Sequence, residues 1–101
     1  MTRINVLACQ LAITQIRSAA ERDQHVTDSF ARIGAALADA DVAIEMVVLP
    51  ELSSIEYSRA SFECLDILAE PDDGPSFERA SEFAQRHRTT AMYGFARRDR
   101  R

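Results

Sequence analysis

The residue best placed to do chemistry is Glu51. It directly follows Val47-Val48-Leu49-Pro50, so a carboxylate stands just past an apolar run that reads as a buried strand. Open α/β sheets bind ligands outside the carboxyl ends of their strands. A carboxylate partly withdrawn from water at such a place can serve as a general base. Position alone equally allows Glu51 to cap a loop or to pair with an arginine. The other reactive side chains read as structural. Cys9 lies in a strand-like apolar run and Cys64 in a short helical one. Neither has an adjacent base or cation that would favour its thiolate. His25 and His87 fall on separate helical stretches, without cysteines at metal-ligand spacing, and read as surface residues, so no metal centre is expected. Ser53, Ser54 and Ser58 lack the G-x-S-x-G setting of an activated serine. The stretch TQIRSAA after the first apolar run contains no glycine, which excludes a dinucleotide fingerprint or a P-loop there. No cofactor is expected. The chain has no lysine, its basic residues being arginine apart from the two histidines. A mechanism that needs a lysine ammonium must draw it from outside these residues.

Composition bounds the class. With 101 residues the chain has room for one domain. Apolar residues make up 47% and charged residues 28%, the balance of a globular protein rather than a disordered one. The net charge of −4 argues against nucleic acid as a partner. The apolar run over residues 46–50 falls far short of the roughly 20 residues that span a bilayer. The opening MTRINVLACQLAI is interrupted by Asn5 and Gln10 and ends in no small-residue cleavage pattern. It therefore reads as a strand and not as a leader. Two cysteines in apolar surroundings imply a reduced, cytoplasmic protein without a disulfide framework.

The elements that must position Glu51 follow from periodicity. Residues 3–13 alternate, with Ile4, Val6, Ala8 and Ala12 on one side and Leu7, Cys9, Leu11 and Ile13 on the other. That is a strand apolar on both faces, as in a parallel sheet. Residues 14–19 form a loop. Over residues 20–40, Val26, Phe30, Ile33 and Leu37 make a helical stripe, with Gly34 placed for close packing. A second strand occupies 44–49, a loop 50–58, and a short helix 59–70 carries Phe62, Leu65 and Leu68. Turn residues fill 71–75. Phe77, Ala80, Phe83 and Ala84 mark a helix over 76–88, with Pro75 or Ser76 at its first turn. A third strand covers 90–96. The order β-α-β-(α)-α-β predicts a mostly parallel sheet with right-handed crossovers. Residues 39–82 hold twelve acids against two arginines, and four of the last five residues are arginine. These read as a solvated acidic face and a frayed basic end. Three strands apolar on both faces have too few helices to cover both. Leaving 400 Å² of apolar surface bare forgoes about 10 kcal/mol, so the chain is expected to oligomerise, aggregate or stay partly molten.

The segment VVLPELSSIEYS resembles the first motif of the carbon–nitrogen hydrolase (nitrilase) superfamily, in which Leu-Pro-Glu follows the second strand and a tyrosine commonly stands six residues after the glutamate, as Tyr57 does here. Ala8-Cys9-Gln10 is similar to the end of that family's first strand. The stretch from Leu68 to Arg98 resembles the region in which Gly-Pro, here Gly74-Pro75, opens a helix that leads to the third strand, with Gly94 ending it. Two positions depart from the common pattern: Glu56 replaces a frequent glycine before the tyrosine, and Arg97 a frequent glutamate after the third strand. The resemblance implies an α-β-β-α sandwich of which residues 1–101 are the amino-terminal, incomplete part. It implies a Glu–Lys–Cys triad in which Glu51 is the general base, and it makes Tyr57 a candidate substrate contact. Cys9 and Cys64 match no nucleophile motif of the family. The lysine and cysteine motifs of the family lie beyond residue 101, so these residues alone are expected to be inactive. The implied substrate is a small nitrile, amide or carbamoyl compound, and the implied full-length form is a homo-oligomer.

Overall fold

The computed structural model describes residues 3–99. Arg100 and Arg101, part of the basic end read from the sequence, lie outside them. The elements run β1 (Val6–Ala8), α1 (Ala19–Asp39), β2 (Met46–Val48), α2 (Arg59–Glu63), α3 (Leu65–Leu68), α4 (Pro75–His87) and β3 (Thr90–Met92). The three strands form one parallel sheet in the order β1-β2-β3, with Val6 opposite Met46 and Met46 opposite Thr90. This is the α/β class and the parallel order that the periodicity predicts.

Each helix start has a local cause. Ser18 caps α1 by accepting the Glu21 N–H at 3.0 Å, while the Glu21 carboxylate reaches back to the Arg17 N–H at 3.3 Å. This is close to a capping box, displaced by one residue. Pro75 stands at the first position of α4, where its missing N–H costs nothing. Arg88 ends that helix in the left-handed region, at φ 52°. The helix expected over 59–70 is two short ones, because Cys64 leaves helical geometry at φ −111°, ψ 20°. Its carboxyl end stops before Pro71, which disfavours helical backbone in the residue preceding it.

The strands are shorter than their apolar runs, since a ladder needs a partner as well as a pattern. β2 stops before Pro50, which has no N–H to donate. Single bonds carry the pairing slightly further, from Cys9 N–H to the Val48 carbonyl and from Leu49 N–H to the Met92 carbonyl, both at 2.8 Å.

Both crossovers turn the same way, so α1 and α4 lie side by side on one face of the sheet and pack on each other. The core between helices and sheet is built from Val26, Phe30, Ile33, Val47, Leu49, Ala80 and Phe83, with Leu7, Cys9, Leu11, Ala91 and Tyr93 at its margin. Phe30 and Phe83 meet at 5.1 Å between ring centroids. Gly34 lets the helices close: a Cβ there would stand 3.2 Å from the His87 ring. The opposite face carries the even-numbered residues and is open. Ile4, Val6 and Met92 are 67%, 51% and 55% exposed.

A second, smaller cluster of Ile16, Ile55 and Leu68 lies apart from the first. Ile16 falls in the expected loop 14–19, yet it is buried because the chain there dives against Ile55. Of the apolar residues that mark the helical spacing, Phe62, Leu65 and Phe77 are exposed. Short helices and a first turn offer too little neighbouring surface to cover such groups. No helix among the described residues is long and apolar enough to cross a membrane.

Candidate functional site

Glu51 stands three residues past the last ladder residue of β2, the central strand, where the chain leaves the sheet. Its backbone is fixed closely. Gly94, on the extension of β3, lies so near the Glu51 carbonyl that a Cβ at Gly94 would overlap the Glu51 oxygen. The position accepts glycine alone because of that approach. Ser53 completes the strap: its N–H and its Oγ–H both donate to the Gly94 carbonyl, at 3.0 and 2.8 Å, and its Oγ accepts the Gly94 N–H at 3.2 Å. From the helix side, His25 Nε2 donates to the Ser53 carbonyl at 2.9 Å. His25 is thus half-buried and tied to this loop rather than a surface residue. His87 is also half-buried, its ring 4.5 Å from that of Phe83.

The Glu51 side chain itself is exposed. Among the described residues no arginine lies within salt-bridge distance of it, and its carboxylate accepts no protein hydrogen bond. Of the readings the sequence left open, loop capping and arginine pairing are therefore not realised. The larger surface clefts are lined by other residues. Tyr57 is 76% exposed and packs edge-on against Phe62 at 5.1 Å. No hydrogen bond joins its hydroxyl to Glu51. Neither sequence candidate is among the residues that line those clefts.

Cys9 behaves as a small apolar residue. It is half-buried at the margin of the main core, and burial pushes its thiol up from the usual value. Cys64 breaks α2 from α3. Among the described residues no three His, Cys, Asp or Glu side chains converge as a metal site would require.

A second carboxylate has a built environment that sequence reasoning passed over. Glu70, counted among the solvated acids, is 1% exposed. Its carboxylate accepts the Ser76 N–H and the Ser76 hydroxyl, each at 2.7 Å. Arg22 Nε stands 3.8 Å away, and Arg22 also donates to the Leu68 carbonyl at 2.8 Å and pairs with Asp23 at 2.9 Å. Ser76 is the second residue of α4, so Glu70 satisfies a free N–H at a helix start and places negative charge against the positive end of its dipole. Its backbone is held too: Glu70 N–H donates to Ala96, and Arg98 N–H to Glu70, at 2.9 and 2.7 Å. The available signal was spacing, an acid six residues before a serine with Gly-Pro between them. The nearby Tyr93 hydroxyl is pushed up by burial, then by the charges of Glu70 and Asp72. Glu70 is sealed from solvent and does structural work.

No family model, no curated protein and no solved structure matches this chain.

Proposed function

We propose that residues 1–101 are the amino-terminal part of a hydrolase of non-peptide carbon–nitrogen bonds, with Glu51 as its general base. One observation carries the reading: a carboxylate with no partner among the described residues, on a backbone strapped by Ser53 and Gly94, at the carboxyl end of the central strand of a parallel sheet. Support comes also from the open apolar face, which suits a second sheet in an α-β-β-α sandwich. In such a site a cysteine thiolate attacks the nitrile carbon or amide carbonyl, and water releases the resulting thioimidate or thioester. Glu51 takes the proton from the thiol and passes it to the substrate nitrogen, which leaves as ammonia or an amine; as a carboxylate again it then takes a proton from that water. A lysine stabilises the charge of the tetrahedral intermediate. This chain has no lysine, and neither of its cysteines lies beside Glu51. The substrate is a small nitrile, amide or carbamoyl compound, Tyr57 is a wall of its pocket, and the setting is cytoplasmic and homo-oligomeric.

A second reading is a small non-catalytic α/β binding or regulatory module, favoured by the exposure of Glu51 outside the larger clefts. The coding sequence after codon 101 separates the two. An open frame that carries a lysine and then a cysteine after a strand supports the hydrolase; unrelated sequence after a stop supports the module. The 101-residue chain is expected to release no ammonia from simple nitriles, amides or carbamoyl compounds. Turnover that Glu51→Ala abolishes would overturn the requirement for outside partners.

A further inference from the structure

Between α1, the loop after β2 and the start of α4 lies a small cavity. The space open to the centre of a water molecule in it is about 10 Å³. Ser29, Ser53, Ser54, Ser76 and Tyr93 are among its lining residues. Three of the serines have committed their hydroxyl protons: Ser29 to the His25 carbonyl, Ser53 to the Gly94 carbonyl and Ser76 to Glu70. Their oxygens keep capacity to accept. Ser54 differs from them. It is 2% exposed, and its Oγ has no hydrogen-bond partner among the described residues. Thr89 Oγ1, which shares that property, borders a broad open cleft beside α4 and β3 instead.

We propose that this cavity is a binding site for one resident water, which accepts the Ser54 hydroxyl proton and donates to neighbouring serine oxygens. A water site needs about 10–15 Å³ by this measure and two to four polar partners. The cavity meets the first requirement for a single water and excludes any larger ligand. The spare acceptor oxygens of Ser29, Ser53 and Ser76 can meet the second. Leaving a buried hydroxyl without a partner is costly, whereas a bridging water satisfies it nearly as well as a direct bond. The site lies directly behind residues 49–54. The water therefore belongs to the packing that holds the Glu51 loop, whatever that loop does.

The sign of one substitution tests the proposal. If a water is bonded to Ser54, Ser54→Ala in the intact protein removes a bond and leaves the water short of partners, and the melting midpoint falls, by about 2 °C or more. If the cavity is dry, Ser54→Ala removes an unsatisfied group, and a midpoint that stays or rises overturns the proposal. A second measurement does not depend on the variant folding. A high-resolution crystal structure is expected to show a water within hydrogen-bond distance of Ser54 Oγ. An empty cavity, or a Ser54 hydroxyl turned onto a backbone carbonyl, would also overturn it.

Discussion

Glu51 and Glu70 are both carboxylates of the segment between β2 and α4, and their surroundings are opposite. Glu51 is exposed and, among the described residues, touches neither cation nor donor, while its backbone is held so tightly that Gly94 has no room for a side chain. Glu70 is enclosed, takes two short hydrogen bonds from Ser76 and stands against Arg22. A carboxylate whose bonds are all made is committed to the fold. One that is rigidly mounted and left free is available to something else. Mounting and satisfaction are separate properties, and firm mounting without satisfaction is what marks a candidate for chemistry.

The sharpest way to break this contrast is to remove each acid in turn. Glu70→Ala leaves Arg22 with only Asp23 and the Leu68 carbonyl, takes both acceptors from Ser76 and frees the start of α4. It is expected to cost about 3–5 kcal/mol, the usual penalty for breaking a buried pair. Glu51→Ala is expected to fall within about 0.5 kcal/mol of the parent, as at other exposed positions. Urea denaturation of both variants measures the difference. Equal losses would mean that Glu51 is also part of the framework.

The mounting of Glu51 is tested by Gly94→Ala. The added methyl must displace the Glu51 carbonyl and the Ser53 strap, a clash expected to cost about 1–3 kcal/mol. Loss of slowed amide exchange at Ser53 would localise it. Unchanged stability would show that the loop can move aside.

A smaller effect sharpens the electrostatic side. Burial, then the charges of Glu70 and Asp72, raise Tyr93 above the usual tyrosine value of 10.0. In a Tyr57→Phe background Tyr93 is the only tyrosine, since the chain has two. Its absorbance titration is expected to move down in Glu70→Gln and to stay in place in Glu51→Gln. Linkage gives the sign for stability. The folded state holds this proton more tightly than the unfolded chain does, so the contribution is full below pH 10 and is lost as pH rises through the folded value. Cys9, raised from 9.0 by burial, acts in the same direction. The fold is thus expected to weaken on the alkaline side, and Tyr93→Phe to lessen that slope. A slope unchanged in Tyr93→Phe would assign it to Cys9 or to other groups.

How much of this was legible in the sequence depends on whether the cause was local. The stripe Val26, Phe30, Ile33 and Leu37 is set by helical period, and it lies where the pattern put it, with Leu37 at the margin. The place of Glu51 after an apolar strand is likewise local. Strand ends were not legible, because Ile13 matches the pattern but lies in no strand, and Ala96 bonds to Glu70 beside an isolated bridge instead of extending the ladder. Glu70 was not legible either: its burial comes from Arg22 on α1 and from the segment 96–98, both distant in sequence. The exposure of Phe62 and Phe77 was not legible for the same reason, since helical spacing shows which side chains share a face and not whether anything covers it.

The parallel register joins strands about 40 residues apart in sequence. The ladder of β2 therefore cannot be completed on both sides until β3 has been made, late in the chain. Such non-local pairing is intrinsically slow to form, because each crossover must be closed before its contacts contribute. During that interval the apolar side of the sheet carrying Ile4, Val6 and Met92 has no helix to shield it, and once folding is finished these residues are still bare. For most domains exposure to wrong partners ends when folding ends. For this chain the hazard outlasts folding, which makes yield on refolding depend on protein concentration at every stage rather than only at the first.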